Sequence, residues 1–590
     1  MTNQFYDPAT LRFILDDMLQ VSELCKLPRF TDHTREGFDM ILDATKQLAE
    51  SKLRPILVEM DRDEPQLVDG RIRVHPAMKD LMKEFGDGGW ISASADYDHG
   101  GNQVPVTISN SCLFIFGAAN YSAAAFPYLC TGAAHLLTSF ARPELRDQFV
   151  PKMFAGEWQG TMALTEPEAG SSLSDLTTSA TPQEDGTYLI RGQKIFISAG
   201  DHDAVENVVH LMLARIEGAP AGTKGISLFV VPRERMENGE LVSNDVKTAG
   251  VFHKMGYKGA PIAHIMMGEN DNCVGQLIGE PHQGLKYMFQ MMNEARIAVG
   301  INAVSIASAA YYAALDYSRE RNQGRPLMNR DPESEQIPII QHADVKRMLL
   351  FQKSVVEGCL ALTLKLSVWA DRIHGGGEPN KELEMLLDLL TPVAKSYPSE
   401  AGIQAVSAGL QCLGGYGYTR EYILEQFYRE ARIHPIHEGT TGIHGMDLLG
   451  RKIARDQGQT FGKMLEMLFA ATASGKQIEE VRPFAEKLES YANALREVTT
   501  ELGMRAMSEG PEAFLSDATL YLEVFSLVTV SWMWIEMGNV AAGKDSDFHR
   551  GKLAAMRYYL EYELPKCDGL LNRLKSKDRV TLETEPAWIN

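Results

Sequence analysis

The chain has 590 residues, of which 44% are hydrophobic, and this is enough for several domains with large buried cores. Its formal charge of −20 at pH 7 disfavours a nucleic-acid-binding protein and argues against docking on anionic membranes by charge. The seven cysteines include no Cys-x-x-Cys pair and the first residues lack the features of a signal peptide, so we expect a reducing, cytoplasmic location. The most apolar run, Val524–Ile535, is too short to span a bilayer, and no transmembrane segment is predicted.

The first 160 residues have mostly helical spacing. Residues 1–33 form an N-terminal arm, in which apolar residues between Leu11 and Leu19 predict a short amphipathic helix in a run that ends at Pro28. Residues 34–160 form an N-terminal α-helical domain. Within it, the small apolar stretch Tyr121–Phe140 predicts a buried helix that is broken once, at Pro127.

The pattern changes to short β-rich runs in residues 161–284. Asp185-Gly186 predicts a hairpin between two strands, and further strands are predicted at Lys194–Ser198, Val208–Leu213, Gly225–Val231 and Ala263–Met267. Gly, Asp and Asn separate these runs, and no alternating helices lie between them. This favours a small antiparallel barrel or sandwich.

Helical spacing returns in residues 285–455, a C-terminal α-helical domain, and continues through 456–590, an additional helical block. One very long helix is predicted from Leu285 to Arg321, followed by helical blocks at 340–373, 380–412 and 440–455. The predicted class is therefore α+β, with helices on both sides of a β-domain. Gly414-Gly415-Tyr416-Gly417 lacks the third glycine and the strand-to-helix setting of a dinucleotide-binding fingerprint.

The stretch His434–Gly442 contains a candidate catalytic base, Glu438. Gly439 leaves room for a ligand close to the backbone, and Thr440 or Thr441 can cap a following helix. A carboxylate on the rim of an apolar pocket would have a raised pKa and could accept a proton. The alternative is an ordinary solvated loop glutamate. A His-Glu-x-x-His metal site is not predicted, since Thr441 stands where the second histidine would be.

A second candidate site lies at the start of the β-domain. The loop Thr165–Ser172 offers backbone N–H groups and hydroxyls to a polar ring or a phosphate, and the alternative is an ordinary polar connection. Phe196 and Ser198 combine an aromatic face with a hydroxyl, which suits stacking on a flat heterocycle. Core packing is the alternative for Phe196.

Four separated motifs occur in order, and together they resemble the acyl-CoA dehydrogenase family of flavoproteins over roughly residues 35–452. The motifs are Ala163–Ser171, Lys194–Ser198, Gln411–Tyr418 with Tyr428–Ala431, and His437–Thr441. The length of the arm and of the extension resembles the larger members, in the group that includes 3-methylthiopropanoyl-CoA dehydrogenase. The family fold is an N-terminal helical domain, a middle β-domain and a C-terminal helical bundle.

The resemblance implies a role for each matched residue. Glu438 matches the catalytic base, with Gly439 beside the substrate. The residues implied to contact FAD are Leu164, Thr165, Ser171, Phe196, Ser198 and Thr440, and, toward the FAD of a neighbouring subunit, Arg321, Gln411, Gly414 and Gly415.

Two further residues are candidates for substrate contacts, and each has an alternative interpretation. Arg296 matches an arginine near the CoA moiety, and a helix-surface ion pair with Glu294 or Glu320 is the alternative. Tyr128, with Leu129 and Thr131, is a candidate for the floor of the acyl pocket, and plain core packing is the alternative.

The implied activity is oxidation of an acyl-CoA thioester to the trans-2-enoyl-CoA, a step of fatty acid metabolism. Glu438 removes the α-proton, the β-hydrogen leaves as hydride to flavin N5, and the electrons pass to electron-transferring flavoprotein. The resemblance also implies a homo-oligomer, and the extension favours a dimer. Two alternatives are an acyl-CoA oxidase, which reacts with oxygen, and a non-catalytic relative that serves in assembly or binding.

Two departures from the family pattern concern the substrate side. Ser172 stands where the family usually has an aspartate, which puts the CoA contacts of that loop in doubt. His437 precedes the base where tyrosine is frequent. Acyl chain length does not follow from the sequence, because one methylene changes binding by only about 1–3 kcal/mol.

Overall fold

The computed structural model describes residues 4–329 and 331–589, without the side chains of residues 290–292. The chain forms two compact units. We call Glu36–Ala295 the continuous unit, and Met1–Arg35 together with Arg296–Asn590 the discontinuous unit.

The N-terminal arm is helical in short pieces. Helix α1 (Pro8–Arg12) begins at Asp7, whose carboxylate accepts hydrogen bonds from the backbone of Ala9 and Thr10, as an N-cap residue does. A π-turn (Phe13–Met18) and two 3₁₀ turns (Val21–Lys26 and Pro28–Phe30) follow. The predicted amphipathic helix is therefore present but ends at Gln20, which has a left-handed φ of 52°, before Pro28 is reached.

The continuous unit begins with the helices α2 (Arg35–Leu48), α3 (Leu57–Arg62), α4 (Ala77–Asp87), α5 (Val106–Phe140) and α6 (Pro143–Phe154). The predicted break at Pro127 is wrong, because Pro127 lies inside α5 and the helical backbone is interrupted at Asn120 instead. The Asn120 carboxamide accepts from Ala123 N and donates to Leu53 O, each at 3.1 Å. Asn120 thus caps the second half of the helix, where a side chain can replace the lost backbone bonds.

The β-part of this unit contains the strands β1 (Gln66–Val68), β2 (Arg71–Arg73), β3 (Trp158–Ala163), β4 (Ser179–Pro182), β5 (Tyr188–Ser198), β6 (Asn207–Ile216), β7 (Ile226–Pro232), β8 (Glu234–Glu237), β9 (Glu240–Ser243), β10 (Val246–Val251), β11 (Ile262–Met267) and β12 (Val274–Ile278). The main sheet has the order β10-β11-β5-β12-β7-β6-β3, and β4 pairs with β5 and β6.

The predicted hairpin is confirmed, because β4 and β5 pair antiparallel across Asp185-Gly186 and Gly186 has a φ of +82°. The sheet is not purely antiparallel as expected, since β3 and β4 each pair parallel with β6. Its core contains the fully buried Phe229, Met212 and Ile190.

The rest of the chain is helical. The helices are α7 (Gly284–Glu320), α8 (Ala343–His374), α9 (Lys381–Cys412), α10 (Leu424–Ala431), α11 (Thr441–Met446), α12 (Gln459–Gly475), α13 (Arg482–Glu509), α14 (Pro511–Leu515), α15 (Ala518–Ala541), α16 (Asp547–Tyr558), α17 (Cys567–Lys575) and α18 (Val580–Glu583). The predicted long helix and the later helical blocks are thus present. In the discontinuous unit α8 packs along α9, and α15 packs on α8, α12, α13 and α16.

The arm and the C-terminal extension meet within the discontinuous unit. Lys552 on α16 is almost fully buried, donates to Thr10 Oγ1 at 2.6 Å and pairs with Glu357 on α8 at 2.9 Å. One lysine therefore joins α1, α8 and α16.

Among the residues that the structure describes, three helices, α5, α7 and α15, are long and apolar enough by length and composition to cross a membrane. The run Val524–Ile535 lies in α15, a helix of 24 residues, so its length alone does not exclude a membrane span. Between 83% and 94% of the most apolar window of each helix is buried inside the protein. Burial in the protein core therefore explains why these helices are so apolar.

Candidate functional site

Glu438 lies in a strained turn between α10 and α11. Its φ is 53°, and that of the following Gly439 is 90°, so two consecutive residues adopt left-handed backbone. A residue with a side chain rarely adopts this conformation, and such strain is held in place only by surrounding contacts. The direction of the Glu438 side chain and of its backbone N–H is therefore set by this left-handed turn.

Two buried side chains hold this turn through its carbonyl groups. Lys395 Nζ on α9 donates to the Gly439 carbonyl at 2.7 Å. His444 Nε2 on α11 lies 3.0 Å from the Glu438 carbonyl, and because a carbonyl only accepts, Nε2 carries the proton. A Cβ on Gly439 would lie 2.9 Å from the same His444 nitrogen, so only glycine fits here.

The electrostatic environment of Glu438 contains opposing effects. Burial raises the pKa of its carboxyl, and the positive charges of Arg296 and Lys395 oppose that rise. Glu438 nevertheless keeps partial solvent exposure, as a residue on the wall of an open site does. The expectation of a carboxyl with a raised pKa therefore agrees with the structure.

Arg296 on α7 is buried, with 4% exposure, and its guanidinium lies 3.4 Å from Asp447 Oδ2. Asp447 also pairs with Arg451 at 2.6 Å. The alternative of a surface ion pair for Arg296 is therefore wrong, and Glu294 pairs instead with His135 at 3.0 Å.

Lys395, His444 and Asp447 contact this site or its residues and were not predicted from the sequence. Lys395 is the one cation in the otherwise uncharged run Leu389–Ser399, and a lysine in such a helix is a signal of a buried polar function. His444 and Asp447 follow Glu438 at six and nine residues, and nothing in that spacing distinguishes them from helix-surface residues.

Thr440 and His437 flank the turn. Thr440 occupies the predicted N-cap position of α11, but its side chain makes no capping hydrogen bond, and Thr441 Oγ1 donates to Glu400 at 2.6 Å. His437 Nε2 is buried and has no hydrogen-bond partner among the described residues. Within residues 4–329 and 331–589, no group of three or more His, Cys, Asp or Glu side chains is arranged to hold a metal ion.

The second candidate site lies in the continuous unit, where the loop after β3 is fastened to β5. Lys194 and Glu166 form a buried ion pair, and Lys194 also donates to Leu164 O at 3.1 Å. Thr177 and Thr178 donate to the Glu166 carboxylate through backbone and hydroxyl groups. The Thr165 carbonyl accepts from Ile195 N at 3.0 Å.

The loop and the end of β5 combine the exposed ring of Phe196 with polar residues. Phe196 is 57% exposed with a φ of 58°, so the alternative of core packing is wrong. Its ring centroid lies 4.6 Å from that of Phe252. Leu164, Thr165 and Ser198 are half-buried and Ser171 is exposed, so these residues are at least partly accessible to a ligand.

The residues proposed for the acyl pocket lie on the second half of α5. Tyr128 and Leu129 are half-buried rather than fully buried, so simple core packing does not describe them. The Thr131 hydroxyl is 2.9 Å from Ile91 O and 3.1 Å from Pro127 O, so it already has backbone partners.

In the discontinuous unit, Arg321 follows α7 and is exposed, as is Gln411 at the end of α9. Gly414 has a φ of 58°, and nothing lies within 4 Å of a Cβ built on Gly414 or Gly415. Tyr422 links the two segments, because its ring contacts both Tyr416 and Tyr317, the residue one turn before Arg321. The structure therefore brings these predicted residues to one exposed surface.

Comparison with known proteins agrees with this architecture. Acyl-CoA dehydrogenase family models match the N-terminal domain at residues 35–157, the middle domain at 161–269 and the C-terminal domain at 282–453. A fourth model, described as acetyl-CoA dehydrogenase C-terminal like, matches 463–585. The chain belongs to the acyl-CoA dehydrogenase family, and it is an enzyme of this group of flavoprotein oxidoreductases.

The chain is 34% identical to the 3-methylmercaptopropionyl-CoA dehydrogenase of Ruegeria pomeroyi, covering 96% of each chain. It is 31% identical to a butyryl-CoA dehydrogenase of Syntrophomonas wolfei, covering 98% of each. Among solved structures, Caenorhabditis elegans ACDH-11 in complex with C11-CoA superposes with a TM-score of 0.78 at 22% identity, over 96% of this chain and 92% of that one. The predicted family and fold class are thereby confirmed.

Proposed function

We propose that the protein catalyses the FAD-dependent α,β-dehydrogenation of an acyl-CoA thioester to the trans-2-enoyl-CoA, with Glu438 as the base. The observation that carries the proposal is the position of Glu438 in a fixed left-handed turn, where burial raises the pKa of its carboxyl between two cations. A general base works best when its pKa approaches the working pH.

The residues present fit FAD. The exposed ring of Phe196, with Thr165, Ser171 and Ser198 around it, offers a stacking face and hydroxyl groups. For the FAD of a partner subunit, Arg321 offers a cation to the pyrophosphate, and Gln411 and the open backbone at Gly414 and Gly415 offer close approach to the adenosine half. FAD, when bound, supplies the acceptor for the electrons of the β-hydrogen.

The protein's own groups would act on the thioester from the Glu438 turn. The Glu438 carboxylate removes the α-proton. The backbone N–H of Glu438 donates no hydrogen bond within the described residues, so it is free to donate to the thioester oxygen as negative charge develops there. The buried Arg296 and Lys395 hold positive charge near this centre.

The remaining proposals concern the partners and the location of the protein. We propose an acyl-CoA substrate, electron transfer to electron-transferring flavoprotein, a homodimer in which Arg321 serves the partner's cofactor, and a cytoplasmic location. The extension of residues 463–585 is shared with the relatives that match along their full length. Tyr128 remains a candidate for the acyl pocket.

The experiment is anaerobic mixing of the purified protein with a panel of acyl-CoAs while the flavin absorbance is recorded. We expect a yellow protein whose flavin bleaches with at least one acyl-CoA, and Glu438→Gln protein that binds the same acyl-CoA without bleaching. A colourless protein that takes up no added FAD would overturn the proposal. Rapid reoxidation of the bleached enzyme in air would assign an acyl-CoA oxidase instead.

A further inference from the structure

Lys395 is a buried lysine with an unusual set of contacts. It lies on α9, is 0% exposed, and makes its hydrogen bond to the Gly439 carbonyl at 2.7 Å. No carboxylate lies within ion-pair distance of its Nζ among the described residues. Burial lowers the pKa of Lys395 to about 8, so the ammonium is still mostly charged at neutral pH although it has no paired carboxylate.

Helix α7 brings a second cation to the same place. A Cβ on Gly300 would lie 1.9 Å from the carbonyl of Ala394, so the two helices touch through backbone immediately beside Lys395. Arg296 lies one helical turn before Gly300 and therefore on the same face of α7. Unlike Lys395, Arg296 has a carboxylate partner, Asp447.

The other ionisable groups around Glu438 do not supply positive charge near neutral pH. Burial lowers the pKa of His434 and of His444 to about 3 each, and that of His437 well below its ordinary value. Three carboxylates on the neighbouring elements form pairs or accept a hydrogen bond: Asp388 with Lys452 and Arg455, Asp447 with Arg296 and Arg451, and Glu400 with Thr441.

We propose that Lys395 is a positioning residue for the reaction of Glu438: its ammonium anchors the Gly439 carbonyl and supplies the unpaired positive charge that faces the base. This inference rests on the proposed function, since it assigns a task to a residue that acts through Glu438. The anchoring keeps the left-handed turn, and the charge favours the ionised carboxylate of Glu438 over its protonated form.

The test is the pH dependence of anaerobic flavin reduction at saturating acyl-CoA for wild type, Lys395→Met and Lys395→Arg holoenzyme. We expect the acid limb of the Lys395→Met profile to move to higher pH, with a rate about tenfold lower at a fixed pH on that limb, the smaller end of what one opposite charge contributes. Lys395→Arg keeps the charge and should leave the acid limb in place. Lys452→Met is the control, because it removes a buried lysine that pairs with Asp388. We expect the acid limb of its pH profile to coincide with that of wild type.

An acid limb of Lys395→Met that coincides with wild type would overturn the inference. If Lys395→Met does not fold, Lys395→Gln retains a donor without the charge and should show the same displacement. The protonation of Glu438 is also readable without turnover, from the carboxyl infrared difference between each protein and its Glu438→Gln form across pH. If none of the acyl-CoAs bleaches the flavin of the wild type, the proposed function is wrong. The infrared titration still tests the role of Lys395 in that case.

Discussion

Lys194 and Glu166 form an ion pair with 2.8 Å between Nζ and Oε1, and their side chains are 0% and 2% exposed. Burial alone would raise the pKa of Glu166, but the charge of Lys194 and the hydrogen bonds from Lys194, Thr178 and Thr177 outweigh it and lower the pKa to about 2. Glu166 therefore has all of its lone pairs engaged in fixing the loop to β5, and it is a structural carboxylate rather than a second base.

We expect Glu166→Gln to lower the free energy of unfolding by about 3–5 kcal/mol, because it leaves the Lys194 charge buried without a partner. Chemical denaturation at neutral pH measures this. Glu168→Gln changes an exposed glutamate two residues away and should have almost no effect. Equal stability of the two variants would contradict a structural role for the pair.

The same pair predicts an acid dependence of stability. The folded pKa of Glu166 lies below its ordinary value of 4.5, so the stabilisation is fully present above that pH and is lost as the pH falls through about 2. We expect the difference in stability between wild type and Glu166→Gln to shrink over this interval. A difference that is constant down to pH 2 would show that the carboxylate does not contribute by its charge.

Glu438→Gln should bind acyl-CoA and fail to reduce the flavin, because the amide keeps the size and the backbone N–H but cannot accept a proton. The loss should be at least about 10²–10⁴-fold in the rate of flavin reduction, the usual contribution of a general base, and Glu438→Asp should be intermediate. Anaerobic stopped-flow absorbance measures both. Glu384→Gln removes an exposed carboxylate near the start of α9 and is the control. If Glu438→Gln protein bleached its flavin at the wild-type rate while Glu166→Gln protein did not, the assignment of Glu438 as the base would be wrong.

Gly439→Ala should destabilise the turn beside the base. Its φ is 90° and its Cβ would lie 2.9 Å from His444 Nε2, so the substitution adds backbone strain and displaces the ring that holds the Glu438 carbonyl. We expect a loss of more than about 1 kcal/mol in unfolding free energy and slower flavin reduction. Gly442→Ala, on α11 with open space around its Cβ, should be neutral or slightly stabilising. Equal behaviour of the two variants would refute the strain argument.

Arg321→Gln should weaken FAD retention in the proposed dimer, because the exposed guanidinium is the cation offered to the cofactor's pyrophosphate. Flavin released on dilution and gel filtration measures retention, and sedimentation of the same samples gives the oligomeric state. Arg319→Gln removes an equally exposed arginine from the last turn of α7 and should retain FAD like wild type. A monomeric wild type that holds FAD and turns over would refute the shared site.

The sequence predicted most of the elements and named Glu438 as a candidate base, but it did not predict the side chains that hold the Glu438 turn. The long helix Gly284–Glu320 and the hairpin at Gly186 followed from apolar spacing and turn chemistry. The interruption at Asn120 did not, because proline is the stronger local signal and the hydrogen bond that Asn120 donates to Leu53 O joins residues 67 positions apart.

The other contacts that were not predicted join residues far apart in the sequence. Arg296 has acidic neighbours in sequence, yet its partner is Asp447, 151 residues away. Lys395 reaches Gly439 across 44 residues, and only the packing of α9 against the turn shows this contact. Motif matching finds residues that recur at fixed spacing, whereas a buried supporting residue needs only the right place in space.

Lys552 also has a consequence for how the chain is synthesised. Its bond to Thr10 spans 542 residues, and at about 5–20 residues per second a ribosome needs on the order of half a minute to two minutes to deliver one partner after the other. During that time the continuous unit, whose sequence is uninterrupted, can complete its folding while the arm waits with apolar residues such as Phe13 and Ile14 uncovered. The first segment to leave the ribosome is thus among the last to be packed, and its apolar residues are exposed in the nascent chain for longer than those of the continuous unit.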